Sequence, residues 1–244
     1  GKAFVAIEDE RFYQHNGIDF KSIIRAGYQF FKTGGEEAQG ASTITQQLLK
    51  NTVFTDWTSE GNNKIKKIKR KIQEQYLALE ITKYYSKDEI LLRYMNAINL
   101  GQNTLGVESA SLRYFGKHCS ELTISECAVI ASITQNPSKY NPIRHPEENV
   151  KRREKCLNKM LELGFISQTQ YDEAMADTDA VYERIGLYDI DYQEANATTG
   201  SYFSDAVYEQ VKQDLILSGY NENMAETLLT SGGLRVESTL DPKI

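Results

Sequence analysis

The stretch AFVAIEDERFYQHNGIDF places a carboxylate on the apolar side of a predicted helix. At 100° per residue, Glu8 falls between Phe4 and Phe12, which face the same way. An inward carboxylate costs free energy to ionise, which suits it to exchanging protons with a substrate. Arg11 offers a plainer explanation, an ordinary ion pair with Glu8 along the helix, and both interpretations stay open here. The neighbouring Asp9 is expected to face solvent.

A long helix predicted over residues 63–83 carries a second carboxylate on a basic face. Lys67, Arg70 and Lys71 lead to Glu74 along one side of this helix, and apolar positions follow. A run of Lys and Arg is usually a solvated face. In a chain of formal net charge −6, however, a concentrated basic face suits a compact polyanion such as a pyrophosphate. Two carboxylates and a cationic clamp are the groups needed to displace a phosphorylated leaving group from a sugar.

The opposite side of the same helix is apolar at helical spacing, which predicts a stripe packed against the core. This predicted core stripe consists of Ile65, Ile68, Ile72, Tyr76 and Leu79.

The stretch GASTITQQLLKN combines small residues, hydroxyls, amides and a lysine. One interpretation is a capped amphipathic helix, begun by Ser42 or Thr43, with Ile44 and Leu48 inward. The other is a binding surface for sugar hydroxyls or phosphate oxygens beside an exposed helix N-terminus. The polar side chains that would form this surface are Gln46, Gln47, Lys50 and Asn51. The stretch by itself favours neither interpretation.

Composition excludes several classes of protein. The chain has 244 residues, 40% of them hydrophobic and 25% charged, which is ordinary for a globular protein with ample core. Its acidic balance argues against a general nucleic-acid binder. The three cysteines have no metal-site spacing, so we interpret them as core or free thiols. No apolar run approaches the roughly 20 residues of a membrane span, and neither a Ser-His-Asp arrangement nor a phosphate-binding glycine loop stands out.

Helical signals dominate the chain, so we predict a mainly α fold. Helices are expected over 20–32, 146–163 and 201–218, and capping boxes of the S/T-x-x-E/Q type precede several others. The segment 234–240 is the convincing strand. Both ends of the chain look cut, which suggests a fragment.

Together these stretches resemble the glycosyltransferase family 51 domain, the peptidoglycan glycosyltransferase of bifunctional class A penicillin-binding proteins. That family has five ordered motifs, and each has a counterpart between residue 2 and about residue 164. The first motif matches Glu8, Asp9, Phe12, His15 and Gly17. The second matches residues 40–51 throughout. The third matches Arg70, Lys71 and Glu74, then Ser86 through Asn96.

The last two motifs match less completely. The fourth matches Gly101, Gly106, Ala110, Tyr114, Phe115, Gly116 and Lys117. The fifth resembles ASITQNPSKYNPIRHPE. The chain departs from the family pattern at Asn99, Ser132 and Gln135, and in a longer loop before Arg70.

The resemblance implies that Glu8 is the catalytic base and that Glu74 is a second catalytic carboxylate. Glu8 would take the proton from the 4-hydroxyl of the acceptor N-acetylglucosamine as that oxygen attacks C1 of the donor N-acetylmuramic acid. The donor would be the glycan on undecaprenyl pyrophosphate and the acceptor lipid II, giving a β-1,4 linkage with inversion. The implied substrate-binding residues are Asp9, Phe12, His15, Ser42, Thr43, Gln46, Gln47, Lys50, Asn51, Arg70 and Lys71. We expect no protein-held metal, and leave open a divalent cation (Mg²⁺ or Mn²⁺) at the pyrophosphate.

The family fold is a lysozyme-like large lobe with a smaller jaw lobe at the membrane. We therefore expect a glycosyltransferase domain over 1–230, with the jaw at about 19–65 and a loop over the cleft at 33–41. Residues 231–244 would begin the linker to an absent transpeptidase domain. We also expect a missing N-terminal transmembrane anchor, placing catalysis on the outer face of the bacterial cytoplasmic membrane. The phosphoglycolipid moenomycin is the expected inhibitor.

Two rival functions remain. A lysozyme-like hydrolase that cuts glycan strands also needs an inward Glu, but has no use for a pyrophosphate clamp. A non-catalytic module that binds polyanionic lipid or wall polymer needs the basic face but not Glu8.

Overall fold

The computed structural model describes residues 1–33, 40–54, 64–102, 104–186 and 202–231. These residues are mainly helical, and the extended pairing among them is one isolated antiparallel bridge between Asn99 and Leu105. Three predicted features lie outside the described residues: the strand at 234–240, the longer loop before Arg70 at 55–63, and most of the loop at 33–41.

The described part of the chain contains twelve α-helices, numbered in chain order. The first six are α1 (Lys2–Glu8), α2 (Phe20–Lys32), α3 (Ile44–Thr52), α4 (Lys64–Tyr84), α5 (Lys87–Ala97) and α6 (Val107–Phe115). After a 3₁₀ turn at Cys119–Glu121 come α7 (Ile124–Ala131), α8 (Pro146–Glu162), α9 (Gln168–Ala176), α10 (Thr178–Glu183), α11 (Tyr202–Leu217) and α12 (Glu222–Ser231). Within the described ranges, none of these helices is both long and apolar enough to cross a membrane.

The first predicted helix was expected to run through Arg11 and Phe12, and this is wrong, because α1 ends at Glu8. The other predicted helix boundaries are confirmed to within about one residue, because local side chains set them. Asp19 caps α2 by accepting from the Ser22 backbone N–H at 3.1 Å. Gly164, with φ of 68°, follows the last turn of α8. Complete capping boxes begin four other helices, at Thr43/Gln46, Ser86/Glu89, Thr123/Glu126 and Ser167/Gln170.

Helix α1 is enclosed by the main core. Ala3, Phe4, Val5 and Ala6 are all buried, and α1 packs against α7 and α8. Consecutive buried residues leave no solvated side on this helix, as expected of a central helix. Its last residue, Glu8, therefore lies inside the molecule rather than on its surface.

A smaller apolar cluster forms where α3 and α4 meet the turn before α2. It is built on Ile18, Leu49 and Ala78. Gly17 makes this contact possible, since its φ is +89° and an added Cβ would lie 2.1 Å from the Ala78 carbonyl oxygen. The cluster falls beside the predicted jaw, whose limits remain a prediction.

The predicted core stripe of α4 is wrong. Ile65, Ile68 and Ile72 are 80%, 60% and 61% exposed, and Tyr76 is also exposed. The helix buries its other side instead, where Glu74 is fully buried. Helical periodicity shows which residues share a face, but not which face meets protein. Here the charged face can be buried because Glu74 carries its own cationic partners.

The three cysteines are free, as predicted. Cys119 is exposed, Cys127 is partly buried and Cys156 is buried beneath α1. Burial raises the pKa of the Cys156 thiol to about 12, so it is neutral in the core.

Candidate active site

Glu8 lies in a ring of hydrogen-bond donors that come from distant parts of the chain. Its Oε2 accepts from Gln47 Nε2 at 2.9 Å. Its Oε1 accepts from Thr134 Oγ1 at 2.5 Å and from Arg152 Nη2 at 2.6 Å. We call these four residues the Glu8 cluster. Hydrogen bonds and a cation directed at a carboxylate favour its ionised form, which is the form that accepts a proton.

The donors of the Glu8 cluster are themselves held in place. The Tyr94 hydroxyl lies 3.3 Å from Gln47 Oε1 and donates to it. Burial, and then the charge of Glu8, raise the pKa of Tyr94 well above its usual range, so Tyr94 remains a donor. Arg152 uses Nη1 to donate to Gln135 Oε1 at 2.7 Å, and its guanidinium lies 5.0 Å from the centre of the Tyr140 ring.

The proposed ion pair between Glu8 and Arg11 is not formed. Helix α1 ends at Glu8, so Arg11 is not placed one helical turn further on. Arg11 pairs instead with Asp19, the N-cap of α2, donating from Nε to Oδ2 at 3.0 Å. The plainer explanation for the inward carboxylate is therefore wrong, and Arg152 takes the place assigned to Arg11.

Asp9 was expected to face solvent, and this expectation is also wrong. Asp9 is buried, accepting from His15 Nε2 at 2.9 Å and from the Ile44 backbone N–H at 3.0 Å. The chain leaves α1 with φ of −155° at Asp9, which turns the carboxylate toward the first turn of α3. Phe12 is fully buried and packs edge-on against His15. Asp9 thus joins the end of α1 to the first turn of α3, and His15, which packs against Phe12, holds the Asp9 carboxylate.

A second group of charges surrounds Glu74 on α4. Glu74 is fully buried, with Oε2 accepting from Lys71 Nζ at 2.7 Å and Oε1 from Arg70. Lys71 Nζ also donates to Ser42 Oγ at 3.0 Å. We call these four residues the Glu74 cluster. Lys71 is 42% exposed and can meet an incoming anion while its counter-ion remains inside.

Helix α3 connects the two clusters. Ser42 precedes it and belongs to the Glu74 cluster, whereas Gln47 on its first turns belongs to the Glu8 cluster. Thr43 and Gln46 are buried in the capping box of α3, and Thr43 Oγ1 also donates to the Gly17 carbonyl at 2.6 Å. Their hydrogen-bond partners are protein groups, so they shape the site. The remaining predicted binding residues, Lys50 and Asn51, lie partly exposed on the last turn of α3.

The donor set does not fit a protein-held metal ion. Among the residues that the structure describes, no group of three or more His, Cys, Asp or Glu side chains converges. Both oxygens of Glu74 are engaged by cations of its own helix. Arg70 and Lys71 thus place beside Glu74 the positive charge that a metal ion would otherwise provide.

Thr134, Tyr94 and Arg152 were not predicted as site residues. A signal for Arg152 was present, since it lies at helical spacing beside Asn149, Arg153 and Cys156, which are buried on α8. Arg152 is thus a charge at the edge of the buried face of its helix. No such pattern marks Thr134, which lies after the end of α7.

Comparisons with known proteins agree with this geometry. The sequence model of the transglycosylase family matches residues 1–161. Penicillin-binding protein 1A of Clostridium perfringens (strain 13) is 40% identical over 249 residues, covering 98% of this chain and 35% of that protein. Penicillin-binding protein 1A of Clostridium botulinum (strain Hall) is 40% identical over 251 residues, covering 99% of this chain and 29% of that protein.

A third relative, penicillin-binding protein 1F of Bacillus subtilis (strain 168), is 37% identical over 243 residues, covering 100% of this chain and 31% of that protein. The chain thus spans about a third of the length of these relatives. The family match, the helical fold and the two carboxylate clusters agree with one another. The chain belongs to the transglycosylase family, as a peptidoglycan glycosyltransferase domain of the lysozyme-like fold similar to those of class A penicillin-binding proteins.

Proposed function

We propose that this chain polymerises lipid II into β-1,4-linked glycan strands and releases undecaprenyl pyrophosphate. The observation that carries the proposal is the Glu8 carboxylate, at which Gln47, Thr134 and Arg152 all direct hydrogen-bond donors. As the acceptor 4-hydroxyl gives its proton to Glu8, its oxygen bonds to C1 of the donor sugar. The bond from C1 to the pyrophosphate oxygen breaks, and its electron pair leaves with that oxygen. Attack opposite the leaving group inverts the anomeric centre.

The Glu74 cluster is suited to the departing pyrophosphate. Negative charge grows on the leaving oxygens in the transition state, and preorganised cations lower the free energy of that state more than of the ground state. Arg70 and Lys71 are preorganised because the buried Glu74 carboxylate holds both. Lys50, one helix away on α3, is the further cation that we assign to this anion.

A glycan-cleaving hydrolase is the alternative. Its catalytic glutamic acid must begin protonated in order to donate to the leaving sugar oxygen. The Arg152 guanidinium at 2.6 Å opposes protonation of Glu8, which favours a base over an acid.

Incubation with labelled lipid II tests the proposal against both rivals. Polymer chains that lysozyme digests would support the glycosyltransferase. Shortening of preformed glycan without new polymer would support the hydrolase, and binding without turnover would support a non-catalytic module. The Glu8→Gln variant is the matched control, since it keeps the shape of the side chain.

We also propose that the domain works against the outer face of the cytoplasmic membrane, where a lipid-linked substrate resides. The exposed stripe of α4 supports this, together with exposed apolar residues on α2. A monomeric protein rarely exposes a contiguous apolar area of this kind without a partner. The α2 residues are Phe20, Ile24 and Tyr28.

Vesicle sedimentation tests the membrane contact. The double variant Ile68→Ser/Ile72→Ser should lower the fraction bound to vesicles of anionic lipid. Leu217→Ser changes an equally apolar residue that is 84% exposed on α11, and should leave binding unchanged. Equal binding of both variants would exclude the α4 stripe as the contact.

Moenomycin is proposed to bind at Lys50, Arg70, Lys71 and Glu74, because its phosphate matches the same cations as pyrophosphate. Lys71→Ala should weaken its binding measured by calorimetry, whereas Lys151→Gln, on an exposed part of α8, should not.

A divalent cation at the pyrophosphate stays a prediction, to be checked by adding EDTA and then Mg²⁺ or Mn²⁺ to the polymerisation assay.

A further inference from the structure

We propose that Arg152 is the positioning residue of Glu8, and that with Thr134 it reserves Oε2 as the atom that receives the acceptor proton. This inference rests on the proposed function, since it names the Glu8 oxygen that takes the proton in that reaction. Arg152 lies on α8, 144 positions from Glu8 in the sequence.

The proton-accepting atom follows from a count of acceptor sites. Each carboxylate oxygen can accept about two hydrogen bonds in its plane. The single hydroxyl proton of Thr134 goes to Oε1 at 2.5 Å rather than to the Ala131 carbonyl oxygen at 3.0 Å, because the first distance is shorter. Oε1 thus accepts from both Thr134 and Arg152, so its sites are filled. Among the described residues, Oε2 accepts from Gln47, which leaves one site for a substrate hydroxyl. The open site therefore lies on the side of Glu8 next to α3.

Arg152 is held by groups other than Glu8. Gln135 accepts from its Nη1, and the Tyr140 ring lies beneath the guanidinium at 5.0 Å. The side chain is only 10% exposed, and its buried Nε has no hydrogen-bond partner among the described groups. Leaving a buried donor unsatisfied costs stability, so the fold gives up free energy to keep this cation at Glu8.

The other ionisable groups around Glu8 do not provide its counter-charge. Tyr94 on α5 and Cys156 on α8 are neutral, because burial raises the pKa of each thiol or phenol far above working pH. Asp9 has its own partner in His15, and Lys87 on α5 faces Asp9. Arg152 is the cation in contact with Glu8 among the residues described.

The pH dependence of the reaction gives a direct test. A base must be ionised to accept a proton, so the rate falls on the acid side as Glu8 becomes protonated. Replacing Arg152 by Gln removes a cation that favours the ionised form. The acid limb of kcat/KM should then move to higher pH by about one unit or more, the usual effect of losing a directly paired charge. Lys151→Gln on the same helix makes the same charge change beside Glu148, and should keep the wild-type profile.

A second readout separates this inference from the proposed function. The side-chain carboxyl of Glu8 can be followed by carbon NMR in the protein labelled at glutamate, with Glu8→Gln identifying its signal. Its titration midpoint should rise in Arg152→Gln and stay constant in Lys151→Gln, and this measurement needs no turnover. Absence of polymer from the wild-type chain would overturn the proposed function while leaving the midpoint shift to be observed.

Two further variants keep the inference testable if Arg152→Gln fails to fold. Arg152→Lys keeps the charge but not the forked donors, so it should keep the midpoint while lowering kcat more than it changes KM. Thr134→Val removes the second donor to Oε1 and should also lower kcat. A wild-type midpoint and a wild-type pH profile in folded Arg152→Gln would overturn the positioning role, as would a shifted midpoint in Arg152→Lys.

Discussion

The two carboxylates of this domain are neutralised in opposite ways. Glu74 takes its partners from its own helix, Lys71 at i−3 and Arg70 at i−4. Glu8 takes its partners from residues 39, 126 and 144 positions away in the sequence. A helix alone can build the first arrangement, whereas the second exists only when α1, α3 and α8 are packed together.

This difference suits two different tasks. Beside Glu74, Lys71 is 42% exposed, so it can engage a charged group that arrives and departs, whereas Arg70 is only 12% exposed. The partners of Glu8 are enclosed, with Arg152 only 10% exposed, so they hold one orientation of one carboxylate. Rigid support matters most for a group that must meet a reacting atom, because small misplacements are costly in rate.

The largest effect is expected for the base itself. Glu8→Gln keeps the shape and two of the hydrogen bonds but cannot accept a proton, so polymerisation should fall by about 10²–10⁴-fold. Substrate binding and melting temperature should change much less. Turnover on lipid II and a binding titration measure the two effects separately, and near-normal turnover would remove Glu8 from the role of base.

The next effect is expected at the Glu74 cluster. Arg70→Ala should lower the rate by about 10²–10³-fold, because a donor to the developing charge is lost. Arg70→Lys should recover only part of it, since an ammonium lacks the forked donors. Unlike Arg152→Gln, neither should move the acid limb of the pH profile. A moved acid limb in Arg70→Ala would mean that the two clusters act as one.

Double-mutant cycles measure, as free energies of unfolding, whether the Glu74 cluster and the Glu8 cluster are independent of each other. Arg70→Ala and Glu74→Gln should be coupled by about 1–3 kcal/mol in urea unfolding, since the two side chains are in contact. Arg70→Ala and Arg152→Gln share no partner and should be additive within about 0.5 kcal/mol. Coupling of similar size in both cycles would contradict the separation of the clusters.

The smallest effect concerns Arg11, which pairs with Asp19 rather than with Glu8. Burial raises the pKa of Asp19, but hydrogen bonds from Arg11 and Ser22 outweigh it and lower the pKa to about 2. This pKa lies below the value of about 4 in an unfolded chain, so the ion pair stabilises the fold above pH 4. That contribution should be lost as the pH falls from about 4 toward 2.

Asp19→Asn keeps an N-cap residue but loses the charge, so it should cost about 1–2 kcal/mol near pH 7. The difference from wild type should shrink across the same pH window in a series of urea titrations. The pH profile of polymerisation above pH 5 should be unchanged. If Asp19→Asn instead shifted the acid limb of the polymerisation profile, the Arg11–Asp19 pair would influence Glu8, which would contradict the separation of Arg11 from Glu8.

The sequence by itself determined the parts of this domain that depend on short spacing. Helix boundaries follow from caps such as Asp19 and Ser86, whose partners lie three residues away. The Glu74 cluster follows from the helical period, which places Arg70 and Lys71 beside the carboxylate. The inward direction of Glu8 was visible in the same way, from its apolar neighbours.

Only the tertiary structure decided what lies opposite each face. It buried Asp9, exposed the apolar stripe of α4, and put Arg152 rather than Arg11 against Glu8. Periodicity defines the faces of a helix, but burial of a face depends on contacts between segments far apart in the chain. A charged helix face such as that of Glu74 can be the buried one when cations on the same helix neutralise its carboxylate. The cost of removing the carboxylate from water is then offset by these neighbouring charges.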